Sequence, residues 1–430
     1  MEKLYESKAM QKLQQGGQKL SSSKIFGAIS GGMMGSLGLI MIGAVFTIIA
    51  TLLSMTGLVQ NTDAIYLWLT MPYNMTMGII SVAIAFMIGA IYAKSLDMKS
   101  MSNGVVSMVL FLLVAAPVQT VTLEGGATMQ VLDSTYLGGT GMFTAIVIAL
   151  LSTRITKFCE DHHWVLKMPE VVPQFLQDSF SSIIPLGINV LLWHGLNTLV
   201  KALFAMPLPM AIMSAFSVPL AGLISVPGMF VMALVAMLLW SFGIHGTMVI
   251  AVVIMPSMMQ YVGNNAQLVA NGQAPVFSAM ALFGTIACCG GTGNVLPLAV
   301  LCARSKSQQL RAVGKAGVVP ALFNISEPVV FGAPIMYNPV LSIPFIINPI
   351  VVMLLVYFGY MADFFKPAYI LMMTVLPVMA QDFFVSMAWQ NLLIAPLAFV
   401  VGFVIYYPFF KAYERQLCEK EAAEAAELAQ

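Results

Sequence analysis

Charge is what this sequence has least of. Only 9% of its 430 residues are Asp, Glu, Lys or Arg, where a soluble domain carries about 25%. A water-soluble fold of this size would expose apolar surface over much of its exterior, so that class is excluded. The formal charge of +1 comes without basic runs interleaved with aromatics, which excludes nucleic acid as a partner. The five cysteines (Cys159, Cys288, Cys289, Cys302 and Cys418) follow no metal-ligand spacing. Their odd number, and the apolar context of three of them, argue against a disulfide framework. No grouping of His, Cys and carboxylate side chains suggests a metal or other cofactor, and no nucleophile–base–orienter triad is visible. The lysine-rich start has no short apolar core with a cleavage site, so no removed leader is expected.

What is present is apolar: 59% of residues are hydrophobic and the mean hydropathy is +0.90. The solvent such a chain fits is a bilayer, where each spanning helix needs about 20 apolar residues. Candidate spans are 27–54, 73–93, 103–121, 138–158, 179–202 and 211–241, followed by interrupted ones at 247–262, 277–303, 341–361, 367–380 and 390–410. About ten full spans are expected, with some segments entering and leaving on one side. The divisions expected are a short segment 1–24, membrane halves 25–205 and 206–412, and a tail 413–430 forming a fraying helix.

Lysines and arginines set the orientation. Lys3, Lys8, Lys12, Lys19 and Lys24 precede the first span, Lys94 and Lys99 follow the second, and Arg154, Lys157 and Lys167 follow the fourth. The alternate connections carry Asp63, Glu124 and Asp133 instead. Together with Lys411, Arg415 and Lys420 at the end, this pattern places both termini in the cytoplasm. Arg304, Lys306, Arg311 and Lys315 form a further basic cluster. Setting topology accounts for most of these charges; docking of a soluble partner is the other use open to them.

Glu327 stands in Asn324-Ile325-Ser326-Glu327-Pro328, with apolar sequence on both sides. A carboxylate at membrane depth costs several kcal/mol unless it is paired, protonated or facing water, so a cavity beside it is expected. Pro328 and Gly332 break the helix around it. His245 lies between Gly243 and Gly246, in a second break, where the backbone turns tightly and leaves the imidazole uncovered. A lone histidine is more often a satisfied core residue; its position in a break favours function. A third break, Gly290-Gly291-Thr292-Gly293-Asn294, can present N–H groups to a hydroxyl or phosphate, or simply permit close helix packing. Gln381 and Asp382 form another polar step near the end. Glu170, Gln174 and Asp178 read as an interfacial stretch, His194 as a packing residue, His162 and His163 as loop residues, and the 34 methionines as apolar filler. Glu and His trading hydrogen bonds with hydroxyls suit a neutral sugar.

At these residues the chain resembles a known family, the membrane subunit (enzyme IIC) of the bacterial phosphoenolpyruvate-dependent sugar phosphotransferase system, in its lactose/cellobiose/chitobiose branch. The likeness rests on Phe-Gly-Ile-His-Gly at 242–246, Gly-Gly-Thr-Gly at 290–293, Ala303-Arg304-Ser305-Lys306 with Gly314-Lys315, and Asn324 through Pro334. It continues through Asn338-Pro339, Ile343-Pro344-Phe345 and the ending Tyr406-Tyr407-Pro408-Phe409-Phe410. The resemblance implies an all-α, ten-span homodimer with two re-entrant hairpins, the first half forming the interface and the second holding the sugar. It implies that His245 and Glu327 meet the hydroxyl that accepts phosphate, that Asn324 supports their turn, and that the phosphoryl group comes from a phosphocysteine on a separate cytoplasmic enzyme IIB. Gly246, Gly291, Thr292, Gly293, Asn294, Gln381 and Asp382 complete the expected sugar site. The chain departs from the pattern at Ser326 and Gln174, and in the short stretch 377–384, where relatives carry an aromatic contact to the sugar. The rival readings are a secondary transporter that leaves sugar unmodified and a non-catalytic membrane sensor.

Overall fold

The computed structural model describes Lys12, Gln15, Gly16 and Lys19, then residues 22–428 except 61, 124–125, 167, 170–171, 174–176, 178–179, 337 and 373–375. The expectations for Glu170, Gln174 and Asp178 lie outside the described residues. The chain forms two compact units, one of Ser22–Ala221 with Met255–Gly263 and one of Gly222–Ile254 with Asn264–Gln430 and the start of the chain.

The first unit holds α1 (Lys24–Gly35), α2 (Leu37–Met55), α3 (Ala64–Asn74), α4 (Ile80–Ser95), α5 (Ser100–Ala115), a hairpin of β1 (Val118–Thr122) and β2 (Thr128–Leu132), α6 (Met142–Asp161), α7 (Ile183–Phe204) and α8 (Leu208–Ala221). Among apolar helices, association depends on close backbone approach at small residues. A side chain at Gly32 would collide with Ile88, one at Gly89 with Ser107, and one at Gly104 with Phe86, which is how α4 sits against α1 and α5. The buried Asn189 on α7 uses its Nδ2 to donate to Thr156 Oγ1 at 3.3 Å and to Pro185 O at 2.9 Å. Large apolar side chains face outward instead, among them Leu191, Leu199 and Leu203 of α7, as a lipid solvent requires. His194 is exposed among them, so it is not the packing residue expected. The hairpin, which pairs Val118 with Leu132 and Thr122 with Thr128, occupies the connection read as a loop.

The second unit holds α9 (Val226–Ser241), both ends of α10 (Gly246–Ala270, whose stretch Met255–Gly263 belongs to the first unit), a 3₁₀ segment Ala279–Ala287, α11 (Leu296–Ala303), α12 (Gln308–Leu322), α13 (Glu327–Gly332), α14 (Pro339–Met361), α15 (Ala380–Ser386) and α16 (Ile394–Leu428). α11 and α12 form a tight helical hairpin, because Gly314 has no side chain to strike the backbone of Cys302 and Ala303.

Among the described residues, seven helices are long and apolar enough to cross a membrane, not the ten expected. Three expected spans account for most of the difference. The run 211–241 splits into α8 and α9, the latter starting at Ser225, which caps it by accepting from Gly228 N at 3.1 Å. The stretch 277–303 becomes a 3₁₀ segment and the eight-residue α11, broken at the glycines, and the described residues of 367–379 are not helical. α5 and α9 are apolar but only 16 residues each. The tail 413–430, expected to be helical, continues α16 as helix to Leu428.

Candidate functional site

The site assembles from three breaks, all in the second unit. At the first, α9 ends at Ser241, Gly243 takes φ +77° and the chain re-enters helix at Gly246. Gly246 is required there because any side chain would strike the carbonyl of Ala236. His245 is the N-cap of α10: its Nδ1 accepts from Met248 N at 3.3 Å and lies 3.0 Å from Thr247 Oγ1. Trp240 Nε1 donates to Thr247 Oγ1 at 3.3 Å, leaving the threonine hydroxyl proton for Nδ1. With Nδ1 accepting, the network assigns the imidazole proton to Nε2. The Trp240 ring, 4.3 Å away between centroids, backs the imidazole.

Nε2 points to the second break, where Glu327 Oε1 lies 3.9 Å away. Their side chains are 40% and 48% exposed, so the pair opens outward. α13, which Glu327 begins, is only six residues long, with Pro328 in its first turn.

The third break is the glycine turn, and Asn324 fastens it to the second. Asn324 has φ +59°, in the left-handed region that asparagine tolerates. Its Oδ1 accepts from Gly290 N at 2.9 Å and Gly291 N at 3.3 Å, and its Nδ2 donates to Gln381 Oε1 at 3.5 Å. Gly291, at φ +77°, lies against Asn324 O and Ser326 N with no room for a Cβ. These two glycine N–H groups are thus committed to Asn324 rather than to a ligand.

The rest of the turn divides. Asn294 is fully buried, with Oδ1 accepting from Cys289 N at 2.9 Å and Nδ2 donating to Thr285 O at 2.9 Å. Gly293 packs on the Phe345 ring, and its carbonyl accepts from Tyr406 Oη at 2.8 Å and Asn348 Nδ2 at 3.0 Å. Both residues brace the turn, and the amide of Asn294 and the carbonyl of Gly293 are taken up by these protein partners. Thr292 is 8% exposed. Gln381 and Asp382 lie in the first turn of α15, a helix bracketed by Met379 and Met387, both at positive φ. Val378 N donates to Leu322 O at 2.8 Å, seating this segment beside Asn324. Asp382 Oδ2 is enclosed without a hydrogen-bond partner. Trp240, Thr247, Asn348 and Tyr406 were not foreseen as supports; only the place of Trp240 and Thr247 beside the His245 break signalled them.

Comparison with known proteins decides what this arrangement belongs to. The profile of the family described as "Phosphotransferase system, EIIC" matches residues 30–349. The chain belongs to this family. It is 30% identical to the lichenan permease IIC component of Bacillus subtilis (strain 168), over 94% of this chain and 92% of that one. Against the cellobiose-specific EIIC component of Geobacillus stearothermophilus the identity is 27%, over 94% and 93%. The crystal structure of the transporter ChbC, the IIC component from the N,N'-diacetylchitobiose-specific phosphotransferase system, superposes with a TM-score of 0.86 at 26% identity, covering 94% of this chain and 97% of that one. The protein is accordingly an EIIC subunit, an inner-membrane sugar permease that presents a sugar hydroxyl for phosphorylation. The secondary-transporter and sensor readings give way to it.

Proposed function

We propose that Glu327 accepts the proton of the sugar hydroxyl while His245 donates a hydrogen bond to the same oxygen, as the phosphoryl group arrives from a phosphocysteine on a separate EIIB protein. The observation that carries this is the 3.9 Å separation of Nε2 and Oε1. An oxygen placed off their axis reaches both at about 2.8 Å, ordinary hydrogen-bond distance. His245 cannot act as acceptor at Nε2, which already bears a proton. Protonation at Nδ1 would set a donor against Met248 N–H and uncap α10. The base is therefore Glu327. Phosphoryl transfer depends chiefly on positioning and charge stabilisation, and Asn324, tying the two turns together, supplies the positioning. Gln381, Asp382 and Thr292 are the candidates for contacting the remainder of the sugar.

The relatives named for lichenan, cellobiose and diacetylchitobiose favour a disaccharide or related β-glycoside. Lysine and arginine placement supports cytoplasmic termini. The family likeness supports a homodimer built on the first unit, with the broken segments of the second acting as re-entrant hairpins.

Vesicles supplied with the soluble phosphocarriers test the reading. Wild type should accumulate phosphorylated sugar, and Glu327→Gln should cut that rate by about 100-fold or more while keeping sugar affinity within a few-fold. Free sugar alone inside wild-type vesicles, or undiminished phosphorylation by Glu327→Gln, defeats it.

A further inference from the structure

The two turns of the site are the ends of one hairpin. α11 starts just after the glycine turn and α12 ends just before Asn324, so both arms run away from the site to the turn 304–308. That distal turn is gripped by the last part of α16. Glu414, 5% exposed, accepts from Ser305 Oγ at 2.7 Å and Lys306 N at 2.8 Å, and pairs with Lys411 Nζ at 2.7 Å. Two turns further on, Glu421 accepts from Ser307 Oγ at 2.6 Å, Gln308 N at 3.1 Å and Gln309 N at 3.2 Å. Arg311 Nε closes the turn on Ser305 O at 2.8 Å. α16 has 35 residues, about 52 Å at 1.5 Å per residue, against a hydrocarbon layer of about 30 Å. Its far end therefore projects beyond the bilayer and carries the gripped turn with it.

This construction buries Ser305 and Ser307 and turns their neighbours outward. Arg304, Lys306, Arg311 and Lys315 are all exposed. Arg304, Lys306 and Lys315 have no carboxylate within ion-pair distance among the described residues, because the nearby acids Glu414 and Glu421 face the serines and backbone. A cluster needed only to fix topology requires basic side chains and no fixed shape. Here the shape is held by six hydrogen bonds, five accepted by two carboxylates and one donated by an arginine.

We propose that this clamped basic turn is the seat for the phosphoryl-donor protein, taking an acidic surface of that protein around its phosphorylated side chain, and that Glu414 and Glu421 are positioning residues that hold the seat in register with the hairpin. The proposal rests on the reading that a separate donor delivers the phosphoryl group. The occupant is favoured by charge: it brings an anionic phosphoryl group to a cationic, unpaired surface. It is favoured also by connection, since contact at the turn bears directly on the hairpin whose other ends form the sugar site.

The test uses the full chain reconstituted in two kinds of vesicle, neutral phosphatidylcholine alone and phosphatidylcholine with phosphatidylglycerol. The probe is a phosphorylated EIIB protein that supports sugar phosphorylation by the wild type. Reversing two charges, Lys306→Glu with Lys315→Glu, should raise the KM for the donor about tenfold or more, an effect of lost electrostatic encounter. It should do so in both vesicle types and leave the sugar dissociation constant unchanged. Lys306→Arg with Lys315→Arg should behave as wild type, and high salt should raise the wild-type donor KM. An unchanged donor KM overturns the proposal. An effect confined to vesicles with phosphatidylglycerol assigns the cluster to lipid headgroups and overturns it; a parallel loss of sugar affinity assigns it to folding of the hairpin and also overturns it. Failure of the donor reading itself looks different, because then the wild type phosphorylates no sugar in either vesicle.

Discussion

At the scale of single residues, the informative signal is an ionisable or strained side chain in an apolar setting. Glu327 and His245 stood out for that reason, and they meet at 3.9 Å. Asn294 shows the limit of the method. Its place in a glycine-rich turn suggested a ligand, yet its amide is used up on Cys289 N and Thr285 O. Which way an amide faces is decided by partners far along the chain, and no local pattern encodes it. Asn324 is the residue whose removal should be most telling. Asn324→Ala leaves Gly290 N and Gly291 N without an acceptor, a cost of about 1–3 kcal/mol. Purified Asn324→Ala should unfold at lower temperature in a thermal scan and phosphorylate sugar more slowly. Asn324→Asp, which keeps an acceptor oxygen and tolerates φ +59°, should recover most of the stability.

Elements were legible where proline, glycine or a capping residue interrupts apolar sequence, as at Gly243 and Pro328. They were illegible where the sequence is apolar on every face. The run 211–241 carries no periodicity to mark its division, and only Ser225-Val226-Pro227-Gly228 marks a helix start within it. The short stretch before the last span hid a different kind of element, the helix α15 held between two residues at positive φ. Backbone conformations of that sort are tolerated when the surroundings impose them, and Val378 N on Leu322 O is one such restraint. The grip of α16 makes its own prediction. Glu421→Ala removes the acceptor for Ser307 Oγ, Gln308 N and Gln309 N. Hydrogen exchange at Gln308 and Gln309 should then quicken, while amides of α14 keep their protection.

For the molecule as a whole, composition alone decided the solvent, and positive residues suggested the orientation. The seven membrane-length helices agree with a polytopic chain, but span counting failed where apolar segments break before reaching bilayer length. Orientation can be read without adding a probe site. Cys159, Cys288, Cys289 and Cys302 are buried and Cys418 is partly exposed. A membrane-impermeant maleimide should label Cys418 in inside-out vesicles and spare it in right-side-out ones; the reverse pattern would invert the topology.

The clasp made by Asn324 has a consequence for movement. Two stretches of chain more than thirty residues apart share one amide oxygen, so the proposed floor of the sugar site cannot flex at that seam without abandoning two N–H groups. Whatever carries cargo from one side of the bilayer to the other must shift this floor as a single plate, with the give located elsewhere.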